Sequence, residues 1–155
     1  GGVIPSQAAT VRGSTSVTLA GANTLTTLTF DNNGGTSPTL IPTGTLTLTT
    51  GLNATSMNVN SAAASTLGAG NLDLNGAASF PISVGATLVN GKDLAPWQSG
   101  LTISSVIQNG GITKSGNGVL QLGGLSTFAG GVNVTAGALL IGAGIATVAM
   151  RSGSR

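Results

Sequence analysis

Apolar and polar residues alternate with period two in short bursts along the whole chain. The bursts include Thr24-Leu25-Thr26, Leu28-Thr29-Phe30, Thr45-Leu46-Thr47-Leu48-Thr49, Leu72-Asp73-Leu74, Leu101-Thr102-Ile103, Leu120-Gln121-Leu122 and Val132-Asn133-Val134. Successive side chains of a strand point to opposite faces, so each burst predicts a strand with one apolar side. No window keeps a 3.6-residue period of good helix formers, and no helix is expected. Turn signals separate the bursts: Asn32-Asn33-Gly34-Gly35, Asn90-Gly91, Asn109-Gly110-Gly111 and Gly116-Asn117-Gly118. The most apolar stretch, residues 138–150, contains Gly142 and Gly144. It falls short of the roughly 20 residues of a membrane-spanning helix and reads as a last buried strand and a tail.

Short strands with Gly and Asn corners fit a sandwich, a barrel or a solenoid. Two features favour the solenoid. The large aromatics are only Phe30, Phe80, Phe128 and Trp97, which suits a thin core of stacked Leu, Val and Ile. Coils that stack like on like also let Thr, Ser and Asn form outer ladders without charge. The expected fold is therefore all-β, a single right-handed parallel β-helix over residues 1–150, with 151–155 a polar tail of the cloning-remnant type. Coils of about 20 to 25 residues would give roughly six or seven turns. Leu46, Leu48, Leu72, Leu74, Leu101, Ile103, Leu120, Leu122, Val132 and Val134 are expected to face inward.

Composition narrows the function. Charged residues make up 5% of the 155 and hydrophobic ones 40%, with 26 Gly; the mean hydropathy is +0.40. Low charge with substantial hydrophobicity argues for a folded chain whose surface is built of hydroxyls and amides. The sequence pI near 10.0 reflects five cations over three carboxylates rather than a basic face. Arg12, Lys92, Lys114, Arg151 and Arg155 are scattered singly, so no nucleic-acid stripe is expected. Cys is absent, which removes disulfide and thiol chemistry and is compatible with export. The start at Gly1 without Met suggests a processed or excised product.

Residues 110–142 read GGITKSGNGVLQLGGLSTFAGGVNVTAGALLIG. This run resembles the autotransporter-associated β-strand repeat, through Gly110, Gly111, Thr113, Lys114, Gly116, Gly118, Leu120, Leu122, Gly124, Thr127, Phe128, Gly130, Gly131, Val134, Gly137 and Leu139. Residues 25–33 and 43–51 resemble the looser strands that precede such a repeat. Phe128 stands where that family more often has Tyr, and Val132 where it often has Thr. The resemblance implies a surface-displayed passenger, extracellular or on a bacterial cell surface, with a structural or adhesive role. It says nothing of the export route, because no outer-membrane barrel follows in the sequence.

Candidate chemistry is sparse. General acid/base hydrolysis needs paired carboxylates, and the supply is Asp31, Asp73 and Asp93 with no Glu, His, Cys or Tyr. Asp31 reads as a corner cap, Asp73 as the polar side of a strand, and Asp93 as part of an Asn-Gly loop beside Lys92. A polysaccharide-active enzyme is thus a remote alternative; no cofactor and no metal site are expected. Asn53 and Asn133 open glycosylation triplets that read as coincidence in a bacterial product. Lys114 reads as a solvated residue at a corner. Residues 89–100 read as a protruding loop, in which Trp97, Lys92 and Asp93 are the binding candidates for a surface glycan or protein. The plainer role for Trp97 is to cover a solenoid edge. Residues 1–4 and 145–150 carry no charge, so end-to-end association into a fibre is the alternative function.

Overall fold

The computed structural model describes residues 6–58, 62–95, 97–127, 129–142 and 150–151. In chain order the strands are β1 (Ala9–Arg12), β2 (Ser16–Leu19), β3 (Asn23–Asn33), β4 (Thr39–Pro42), β5 (Thr45–Asn58), β6 (Ser65–Leu67) and β7 (Asn71–Val89). They continue as β8 (Lys92–Asp93), β9 (Ser99–Ile103), β10 (Val106–Ser115), β11 (Val119–Leu122), β12 (Val132–Val134), β13 (Ala138–Ile141) and β14 (Met150–Arg151). No helix occurs among the described residues. One sheet runs β1-β3-β5-β7-β10-β12-β14, with β8 attached to β7, and the other runs β13-β11-β9-β6-β4-β2. Apart from the β7/β8 pair, every pairing is parallel. Setting β8 aside, the chain alternates between the sheets, laying each new strand beside the one a coil earlier.

The inner faces form columns. In the first sheet Asn23, Leu46, Leu72 and Ile107 stand in register, as do Val11, Phe30, Ala54 and Val84. Phe30 is fully buried above the small Ala54, so large and small side chains alternate to fill the core. The second sheet adds Val17, Leu40, Leu67, Ile103, Leu122 and Ile141. Nine of the ten residues expected to face inward are buried. The tenth, Val134, is half-buried, because it lies on β12 near the end of the stack.

Coil length is less regular than the sequence suggested. The second sheet advances 23 residues from Ser16 to Thr39, 36 from Ser65 to Leu101, and 19 from Leu101 to Leu120 and again to Leu139. The long advance contains residues 89–100, read above as a loop. They hold a strand: Asn90 (φ 49°) and Gly91 (φ 74°) turn the chain back, and β8 pairs antiparallel with Leu88 and Val89. Two left-handed residues match the twist of a two-residue hairpin, for which Asn-Gly is the favoured pair. A short charged strand laid on an otherwise open edge also protects that edge, which gives Lys92 and Asp93 a structural role.

Candidate functional site

Lys114 lies inside the protein, contrary to its reading as a solvated corner residue. It stands in the inner column Ala9, Leu28, Leu52, Ile82, Lys114, Val134 and is fully buried. Its Nζ donates to the carbonyls of Ser115 (2.9 Å), Gly116 (2.7 Å) and Ala136 (2.9 Å). An ammonium has three protons, and all three are used. No carboxylate is needed, because carbonyls of two successive corners turn toward the ammonium and supply the negative ends of their dipoles. Desolvation by burial lowers its pKa from 10.5 to about 8. The aliphatic stem fills the column while the head ties one coil to the next.

The glycines of the repeat-like run explain how the corners come this close. Gly130 N donates to Gly110 O at 2.9 Å and Ile112 N to Gly131 O at 3.0 Å, stacking the Gly110-Gly111 and Gly130-Gly131 pairs backbone against backbone. A Cβ on Gly118 would be driven into Gly85 O, with Gly85 C only 2.6 Å away, and one on Gly137 would lie 2.7 Å from Lys114 Nζ. Gly116, at φ +77°, turns the strand so that its carbonyl meets the ammonium. Leu120 and Leu122 are buried, whereas Thr113 faces out and shares a hydroxyl hydrogen bond with Ser79. Phe128 lies outside the described residues.

The three carboxylates act singly. Asp31, expected as a corner cap, forms an ion pair with Arg12 at 3.3 Å across β1 and β3. Asp73, on the outer side of β7 as expected, accepts from Asn75 N (2.7 Å), Asn109 Nδ2 (3.0 Å) and Gln108 Nε2 (3.3 Å), so it clamps β7 to the next coil. Asp93 accepts from Ala95 N at 2.8 Å. Among the described residues no three Asp side chains gather into a metal-type cluster.

Trp97 is 91% exposed, so it covers no edge. Its turn is nevertheless pinned: Leu94 N donates to Thr87 O (2.9 Å), and Trp97 N and Gln98 N both donate to Leu94 O (2.8 and 3.2 Å). Lys92 and Asp93 are exposed on the same hairpin. A separate shallow groove of about 290 Å³ lies between Ala78-Ser79, Ile112-Thr113 and Gly131–Asn133.

The sequence held one missed signal. Ile112 and Lys114 are two apart on one strand, so they share a face, and the buried partner of Ile112 had to be Lys114. Compared with known proteins, the chain matches no family model, no curated protein and no solved structure.

Proposed function

We propose that the chain is one right-handed parallel β-solenoid serving as a structural or adhesive segment of a secreted or surface-displayed bacterial protein, without catalysis or cofactor. The observation that carries this reading is the pair of parallel ladders, in which the interior charge and the outer carboxylate of Asp73 tie coil to coil. A parallel crossover within one sheet is almost always right-handed, which supports the winding. The resemblance of residues 110–142 to the autotransporter-associated repeat supports the setting. No helix among the described residues is long and apolar enough to cross a membrane. Fused between an outer-membrane anchor and a distal epitope, the chain is expected to display the epitope and to resist added protease. An epitope that stays inside, or a chain degraded at the rate of an unfolded linker, would count against the reading.

A self-assembling fibre is the second reading. On β13, expected as a buried strand, Leu140 is 45% and Ile141 39% exposed. Ile141 continues an inner column, so among the described residues the second sheet ends on a partly uncovered core residue. Of the ends named from sequence, 1–4 and 145–150, residues 1–4 and 145–149 lie outside the described residues, and Met150 pairs with Val132 in β14. The fibre reading expects sedimentation to speed up with concentration in the native chain and to stay constant in Ile141→Lys. Concentration-independent sedimentation of the native chain would sink it.

A further inference from the structure

We propose that the turn bearing Trp97 is a binding site for a neutral polysaccharide, a step that rests on the adhesive half of the reading above. The insertion comes first. The coil from Ser65 to Leu101 spans 36 residues where the next two span 19, so the hairpin and turn are additions that the ladder itself does not require. In repeat folds such insertions cluster on the binding face. The addition displays the only Trp of the chain at 91% exposure. Exposing so large an apolar ring forfeits burial energy, and four backbone hydrogen bonds, from the amides of Leu94, Ala95, Trp97 and Gln98, hold the turn that carries it in shape. A turn whose backbone is held in advance loses little freedom on binding.

The surroundings select the ligand. Binding hot spots between proteins are ringed by contacts that exclude water. Here the residues near Trp97 along the chain are the half-buried Gln98 and Ser99 and the exposed Lys92 and Asp93, and among the described residues no other large exposed apolar side chain lies on the turn. Anionic membrane surfaces are recognised by clusters of Lys and Arg, and residues 89–100 offer Lys92 alone, next to Asp93. What remains is a flat aromatic face for the C–H side of a sugar ring, flanked by amide and hydroxyl groups for its hydroxyls. Ser99 Oγ already donates to Gln121 Oε1 at 3.0 Å, which orients that polar flank.

With a single Trp, fluorescence reports this site directly. Titration with dextran, laminarin, galactomannan and xylan is expected to shift the emission to the blue with at least one of them. Affinity electrophoresis in the same polysaccharide should show Trp97→Ala weakened at least tenfold, Trp97→Phe retaining most of the binding, and unchanged circular dichroism in both. The proposal is overturned if none of the four moves the emission, if Trp97→Ala binds as the native chain does, or if only phosphatidylglycerol vesicles shift it. Each of those results leaves the display experiment standing, so loss of this site and loss of the structural reading are told apart.

Discussion

Replacing Lys114 by methionine is expected to lower the unfolding free energy by roughly 2–4 kcal/mol, although the two side chains are similar in length. The substitution strips the donors from three carbonyls, each worth about 1–3 kcal/mol when left unpaired in the interior. It also relieves the cost of burying a charge, which offsets part of the loss. The net is a large share of the ~5–15 kcal/mol that holds a typical domain together. Denaturant titration measures it, and a Lys114→Met chain as stable as the native one would show that the ammonium is not a fastener.

The same residue gives a pH signature. The folded pKa is about 8 and the unfolded one 10.5, so between these values the unfolded chain holds a proton that the folded chain has released. Stability therefore rises with pH across that window, by up to about 3 kcal/mol. The neutral amine keeps two donors for the three carbonyls, so the corner stays tied through two of them while the cost of burying a charge disappears. With no His, Cys or Tyr in the chain, this rise should be plain in the native protein and absent in Lys114→Met.

Gly118→Ala is expected to cost about 3 kcal/mol, and Gly123→Ala, five residues on, less than about 0.5 kcal/mol. Gly118 has no positive φ to explain its identity; the reason is proximity. Its added methyl would run into Gly85 O, and backing away would stretch the bond that Gly118 N donates to Val84 O at 2.9 Å. The obstacle is backbone, held in the ladder, so no rotamer change relieves it. At Gly123 the nearest atom to a new Cβ is Ile103 O at 3.8 Å, an ordinary contact. Equal stabilities for the two variants would contradict the close approach of the coils at this corner.

Period-two alternation determined the strands and most of the core, because a strand with one buried face leaves its parity in the sequence whatever it packs against. It placed Leu46, Leu72, Ile103 and Leu122 inward without any knowledge of their neighbours. Asn-Gly pairs located the turn at Asn90-Gly91 for the same local reason, since left-handed backbone is cheap only for such residues.

What lay beyond the sequence depends on which coil rests on which. Lys114 carries a polar head, and local chemistry assigned it to water; only the stacking of residues 115–116 beneath Ala136 brings three carbonyls to its Nζ and makes burial tolerable. The partners of Asp73 lie 35 and 36 positions away on the next coil, a register set by bulges and by the inserted hairpin rather than by a constant repeat. Trp97 is apolar, and local chemistry assigned it to an edge; the tertiary structure instead pins its turn to Thr87 and leaves the ring in solvent. In all three, composition fixed what a side chain prefers, and the contacts between coils decided whether that preference could be met.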